Sequence, residues 1–428
     1  MDTSEKTAGQ EWREGWRLVL ACSLAVSWVA APTTSLTLFI EPLQKAFGWG
    51  RGDISAGLFV YSIVSVFLVP FAGALADKYG TRTIALPGLL LNGLAYAAFG
   101  LMTPSLWHWF AAWVLYTITQ LMIGTYIWNG AVSAAFARSR GLAIAVVMGG
   151  IAIGQFVAPL LVRPLLEHFG WRAAFGTLGI GWTCIACLVA IFFFHDPRGR
   201  GSARAQASGA MAAVSKGGLT FAEALSSVRF LRIALAILLQ GLVVSGVLVH
   251  LVPLLRSAQV SLAEATTMVA LTGVAAWLGQ LVTGWLADRV TSTVVPVSCF
   301  LLPALAYAIL LHAQGSLGAF WAAAMLAGFA SGACINITTY LTSRYVGLDH
   351  FGKIYGVISS CMRVGAGFGP FIAGMVFDRT GSYDAYLTFG IVLACLASLA
   401  VFRLGSYPTF TPVQPGDSQP MGDTAAEA

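Results

Sequence analysis

Apolar residues fill the chain in long continuous runs, separated by short polar or Gly/Pro-marked breaks. Twelve runs reach the roughly 20 residues that a helix needs to cross a hydrocarbon core. They are 17–40, 52–76, 83–103, 106–136, 141–166, 172–195, 229–255, 263–287, 293–313, 317–343, 353–377 and 384–403. The runs are continuous rather than alternating, which excludes a membrane β-barrel. The first is too long, and its flank too mixed in charge, for a cleavable signal peptide. The pattern therefore predicts an all-α polytopic membrane protein with twelve transmembrane helices. The longest polar interruption splits the runs six and six. It predicts an N-terminal bundle over 1–195, a cytoplasmic central loop over 196–228, a C-terminal bundle over 229–404 and a disordered cytoplasmic tail over 405–428. Within the loop, Thr220 and Glu223 have capping-box spacing, so a short helix is expected before the seventh span.

Composition narrows the function. The chain is 57% hydrophobic and 10% charged, with mean hydropathy +0.78, against about 25% charged residues in an ordinary soluble domain. Those values exclude a soluble enzyme and a disordered protein. The net charge of +6 is a topology signal rather than a nucleic-acid footprint. With both termini placed inside, seventeen of the 24 Lys and Arg fall in cytoplasmic segments, six fall outside, and Arg363 is left within a span. All seven cysteines, including the Cys184/Cys187 C-x-x-C, lie in apolar runs, so no disulfide framework is implied. No phosphate-binding loop, nucleophile–base set or metal-ligand cluster stands out. The expectation is no ATP drive, no enzyme activity, no cofactor and no metal.

The two halves superimpose at one offset of 211 residues. Pro42 falls on Pro253, Lys45 on Arg256, Asp53 on Glu264, Gly73 on Gly284, Asp77-Lys78 on Asp288-Arg289, Gly141 on Gly352, Pro159 on Pro370 and Gly170 on Gly381. Both copies enter the membrane from the same side, so they are parallel repeats. Two six-helix bundles that rock about a midplane site are the physical reading.

After the second span, Gly73, Asp77, Lys78, Gly80 and Arg82 form a loop that resembles the G-x-x-x-D-[RK]-x-G-x-[RK] signature of the major facilitator superfamily. The second copy, Gly284, Asp288 and Arg289, departs from it at Thr291. The resemblance implies that Asp77 latches the outward-facing state against the cytoplasmic ends of neighbouring helices, with Arg138 or Arg140 as partners; a purely topological charge cluster is the alternative. Within the superfamily, several stretches resemble the monocarboxylate porters and oxalate/formate exchangers. They are Phe136 to Gly150, Phe47-Gly48-Trp49 with Asp53-Ile54-Ser55, His250 to Arg256, and Phe351 to Gly356.

Arg363 is the most informative residue of the pathway. It lies about ten positions into the eleventh run, some 15 Å from the inner surface at ~1.5 Å per residue. A charge there costs at least about 2.5 kcal/mol unless it meets water or a partner. All 18 carboxylates fall in tails, loops or span ends, so an anionic substrate is the expected partner, held as a bidentate fork. Bracing of the bundle by backbone carbonyls and water is the alternative.

Gln155 and Gln240 lie at similar depth, and Asn129, Gln280 and Asn336 lie nearer the inside; each suits substrate contact or helix–helix glue. Trp28, Tyr126 and Trp128 would wall a ring-shaped substrate. Gly149, Gly150, Gly154 and Pro159 allow close approach and bending in the fifth span. Related carboxylate porters often carry basic residues where Thr33 and Gln280 stand here, and some have carboxylates where Cys334 and Asn336 stand. One midplane charge suits one carboxylate. A proton would ride on the substrate or use Glu41 or His250.

The expected function is secondary symport of a small organic monoanion, such as an aromatic-degradation acid or lactone, by a monomer in a lipid bilayer, a bacterial inner membrane on this reading. A multidrug or vitamin carrier of the same fold is the rival, and a transporter-like sensor a second.

Overall fold

The computed structural model describes residues 7–136, 138–194, 218–290, 293–313, 315–347, 350–405 and 407–408. Each expected run within them is helical. The first span, Ala8–Phe47, begins nine residues ahead of its apolar run because Thr7 and Gln10 form a capping box. Spans two and three are Arg51–Tyr79 and Thr81–Ala97, the latter extended by a 3-10 turn over Ala98–Leu101.

Span four is broken into Leu106–Leu121 and Thr125–Ala135. The break frees carbonyls that no water can reach in a membrane. Side chains just beyond it take them up: the Tyr126 hydroxyl donates to the Leu121 carbonyl, and Trp128 Nε1 donates to the Ile123 carbonyl at 2.9 Å.

Spans five and six occupy one helical stretch, Arg140–Phe193, of 54 residues. Straight, it would be about 80 Å long, far beyond a ~30 Å hydrocarbon core. Gly170, at φ 76° and ψ 171°, turns it back on itself. Span six then runs antiparallel beside span three: Arg172 lies at Gly100, and Arg82 donates to the Ile191 carbonyl at the other end.

In the second half, Thr220 and Glu223 close the expected capping box on a short helix, Phe221–Ser226. Span seven is Val228–Val249, prolonged beyond His250 by Leu251–Ser257. Spans eight to twelve follow as Leu262–Arg289, Val294–His312, Leu317–Val346, Phe351–Thr380 and Asp384–Val401. Among the described residues the crossings therefore number twelve. Residues 195–217 and the tail from 409 onward lie outside the described residues.

The repeat recurs in three dimensions. Gly170 and Gly381, 211 apart, end spans five and eleven with φ of 76° and 72°, and Gly48 and Gln259 end spans one and seven with φ of 71° and 63°. Gly154 sits under the Ser27 carbonyl of span one, as its counterpart Gly365 sits under the Leu238 carbonyl of span seven. Those contacts need a residue without a Cβ. The fifth-span glycines thus bring helices together as expected, although Gly149 faces open space. Between bundles, span two packs on span eleven and span five on span eight.

The two turn glycines are expected to differ in what they tolerate. Gly170 occupies a region essentially closed to side chains, costing about 1–3 kcal/mol. Gly381, at ψ 1°, is in the left-handed region, where alanine costs about 1–2 kcal/mol. Thermal unfolding in detergent should therefore show a larger drop for Gly170→Ala than for Gly381→Ala. The reverse order would contradict the assigned backbone.

Candidate functional site

A cavity of about 310 Å³ lies between the bundles. Four pairs of its lining residues are 211 apart: Thr34 and Ser245, Leu58 and Val269, Tyr61 and Thr272, and Gln155 and Ala366. The cavity therefore straddles the axis that relates the repeats, where parallel-repeat transporters hold their substrates. Gln155, one of the expected site residues, makes no hydrogen bond among the described residues. Its side chain rests on Gly273 of span eight, where an added Cβ would come within 2.6 Å of Gln155 Cβ.

Arg363 is three residues before Ala366 on span eleven. That spacing puts it on the same helix face, one turn closer to the termini end. It is half-buried and makes no ion pair or hydrogen bond among the described residues. Tyr126 is 37% exposed. Neither residue lines the cavity itself; Arg363 stands one helical turn from Ala366 of its lining.

The other expected site residues are not gathered there. Gln240, the counterpart of Val29 at the repeat offset, is buried with both amide atoms unpartnered among the described residues, and it does not line the cavity. Asn129 donates to Met148 Sδ at 3.3 Å, while its oxygen has no partner. Asn336 Nδ2 donates to the Gln280 carbonyl at 3.0 Å and to Thr283 Oγ1 at 3.3 Å, tying span ten to span eight beside Gly284. The Gln280 side chain is exposed.

Trp28 needs a correction of face. It is fully buried, its Nε1 donates to Asn92 Oδ1 at 2.7 Å, and its ring packs on Tyr96 and Trp182. It belongs to the core of the N-terminal bundle, as does buried Trp128. Asn92 was the overlooked signal, since an amide buried in a span demands a polar partner.

At the termini end, the amides of Arg138 and Ser139 both donate to the Glu11 carboxylate at 3.0 Å, and Ser139 Oγ donates to it at 2.7 Å. An acid at this position complements the start of the span-five helix. Gly80, at φ 85°, begins span three, and Arg289 lies 4.2 Å over the Trp285 ring. Arg140 is exposed. Gly73 and the side chains of Asp77, Lys78 and Asp288 lie outside what is described.

The far end is sealed by residues that sequence reasoning did not single out. Asp378, at the end of span eleven, accepts from the Arg51 amide at 2.9 Å and the Gly52 amide at 2.8 Å at the start of span two. The Arg51 guanidinium lies 3.7 Å over the Phe377 ring. It donates to Gln44 Oε1 at 3.1 Å and to the Tyr383 hydroxyl oxygen at 2.7 Å. A guanidinium only donates, so Tyr383 directs its own proton to His250 Nδ1 at 2.9 Å. The imidazole proton is then assigned to Nε2, which faces the Pro370 carbonyl and Ser55 Oγ at 2.9 Å each. His250, offered by the sequence as a proton carrier, is fully buried inside this network.

Ring contacts between the bundles are found in the half of span two nearer the sealed end. On span two, Phe59 packs on Phe368 and Phe371 with ring centroids 4.5 and 5.9 Å away, whereas Phe67 and Phe71, further inward, are 69% and 72% exposed. The inner half of span four packs on spans of its own bundle.

The Major Facilitator Superfamily model matches residues 18–311 and 248–421. The chain is similar to rat monocarboxylate transporter 12 (Rattus norvegicus), with 26% identity over 413 residues, covering 87% of this chain and 81% of the relative. It is also similar to cattle monocarboxylate transporter 13 (Bos taurus), with 25% identity over 425 residues and 93% and 92% coverage. In fold it is similar to a bacterial homologue of the human lysosomal transporter Spinster, solved inward-facing and unoccupied. The TM-score is 0.71 at 17% identity, covering 92% of this chain and 98% of that one.

Asp378→Ala should loosen the seal by leaving two helix-start amides without their acceptor. Spin labels at Thr103 and Arg379, on opposite bundles at the sealed end, should report a longer and broader distance distribution than in the parent. An unchanged distribution would mean that other contacts hold the seal.

Proposed function

The chain belongs to the major facilitator superfamily, and from that premise we propose that it is a secondary transporter of a small organic monoanion, working by alternating access. The observation that carries this reading is Arg363, a cation without a protein partner among the described residues, one helical turn from Ala366 in the lining of a cavity on the repeat axis. A guanidinium held in low dielectric attracts a carboxylate strongly, and its fork matches the two oxygens. The similarity to monocarboxylate transporters supports the same substrate class.

The excess of Lys and Arg on the termini side supports a cytoplasmic location for both termini, and on that reading the sealed end is the outer one and the state is inward-facing. Substrate reaches Arg363 from the cytoplasmic side in this state, while the Asp378–Arg51 seal closes the other end. The inner ends of spans two and eight, where the structure continues the helices through residues 73–79 and 284–289 rather than forming loops, would control the inner end, with Arg82, Glu11, Arg138 and Arg140. The coupling ion in this reading is a proton, carried by the substrate carboxyl or through His250. The protein works as a monomer in a cell membrane. The relatives named above are mammalian, so they support a multi-pass membrane protein and add nothing for a bacterial inner membrane.

A carrier of neutral planar compounds is the second reading. It is favoured by the uncharged lining of the cavity itself and weakened by the burial of Trp28 and Trp128.

Uptake of a labelled carboxylate panel by cells or proteoliposomes tests the choice. Arg363→Ala is expected to lower kcat/KM for the transported acid at least about tenfold, the loss of one charge-assisted contact. Arg363→Lys should retain part of the rate at weaker affinity. A protonophore, with membrane potential clamped, should slow uptake. Wild-type transport by Arg363→Ala would overturn the anion reading and leave the neutral carrier.

A further inference from the structure

Five of the seven hydroxyl groups that line the cavity have their protons already committed. Thr33 and Thr34 both donate to the Ala30 carbonyl, at 3.0 and 3.1 Å. Ser245 donates to Gly241 at 2.5 Å, Thr272 to Val269 at 2.6 Å and Ser331 to Gly328 at 2.7 Å. A hydroxyl has one proton and two acceptor lone pairs. Once its proton is given to a carbonyl three or four residues back, it offers neighbours only lone pairs. These five residues line the cavity from spans one, seven, eight and ten. The uncommitted donors are fewer: the Tyr61 and Ser62 hydroxyls and the Gln155 amide make no hydrogen bond among the described residues.

A carboxylate is acceptor-only and would face five more acceptors here. Its place is Arg363, about 4.5 Å along the helix axis from Ala366, a few carbon–carbon bonds away. The body of the substrate must therefore carry donors into the cavity. Its hydroxyls would also accept from Gln155, Ser62 and Tyr61. An unsubstituted alkyl chain would leave those polar atoms unpaired, the kind of loss by which a hydrogen-bonding site rejects analogues.

Resting on the carboxylate reading of Arg363, we propose that the transported monoanion is a polyhydroxylated acid of the sugar-acid type. Its carboxylate sits on Arg363, and its hydroxyls donate to Thr33, Thr34, Ser245, Thr272 and Ser331.

The test uses the full chain in proteoliposomes with three probes of one carbon skeleton: gluconate, hexanoate and the neutral polyol glucitol. Wild type should favour gluconate over hexanoate by at least about tenfold in kcat/KM and leave glucitol behind. Thr33→Val and Ser331→Ala, each checked for wild-type melting in detergent, should each narrow the gluconate-to-hexanoate ratio severalfold. Arg363→Ala should lose both acids. If hexanoate matches gluconate while Arg363→Ala is silent toward both, the hydroxyl-acid assignment is overturned and the carboxylate reading stands. If glucitol is carried as well as gluconate, or Arg363→Ala moves the acids normally, the carboxylate reading fails and this assignment with it.

Discussion

One carboxylate joins the two halves of this molecule at the sealed end. Asp378 belongs to the C-terminal bundle, yet it accepts from the first amides of span two in the N-terminal bundle. Those amides have no partner within their own helix, so the acid completes a foreign helix start. The contact needs close backbones, and Gly374 permits it: a Cβ there would lie 2.5 Å from the Gly52 amide nitrogen. With the backbone held, Arg51 folds over Phe377 and reaches Tyr383, which fixes His250 against Ser55 and Pro370. The cavity and Arg363 both lie on the termini side of this seal.

The duplication does not reproduce the seal on the other side. At the repeat offset Glu167 corresponds to Asp378, but Arg163 stands where Gly374 does. An arginine cannot allow backbone contact, and it draws Glu167 into an ion pair at 2.8 Å within its own helix. Glu167 then borders a cleft of about 500 Å³ with Leu262, near the start of span eight. Among the described residues, the Glu41–Arg256 pair at 4.0 Å and the Val252 amide on Thr37 are the polar contacts that join the bundles close to that cleft. Spans five and eight meet instead deeper, at Gln155 and Gly273. The seal is thus one-sided: spans two and eleven are joined at the rim, and spans five and eight lower down.

Much of this was legible in the chain. Twelve apolar runs, the Thr220 capping box, the depth of Arg363 and the repeat offset all depend on length and spacing, which a helix translates directly into distance. The facing of each residue was less legible. In a membrane bundle, lipid and protein interior are both apolar, so a span carries little periodic contrast to mark its inward side. Trp28 and Val29 stand at the same depth; the valine lines the cavity and the tryptophan is turned to Asn92. Glu11 and Asp378 were hidden for a different reason. Each is a terminal acid that caps a helix from a distant part of the chain, and local spacing cannot announce such a partner.

Within a symmetric cavity the charge is asymmetric. The pairs Thr34/Ser245, Tyr61/Thr272 and Gln155/Ala366 surround the repeat axis with uncharged groups, but Arg363 has Ala152 as its counterpart. A uniform lining would let a ligand bind in two equivalent orientations. A single cation removes that degeneracy, because the charged end of an anion gains far more on one side of the axis than on the other. The same cation sets the conditions for rocking. As the inner end closes, water leaves the cation's surroundings and the cost of a bare guanidinium rises. A bound carboxylate offsets that cost at the point in the cycle where it is largest. In the proposed reading, then, the substrate supplies the missing charge of the pair, and the energetic reason for the loaded carrier to close is built into one residue.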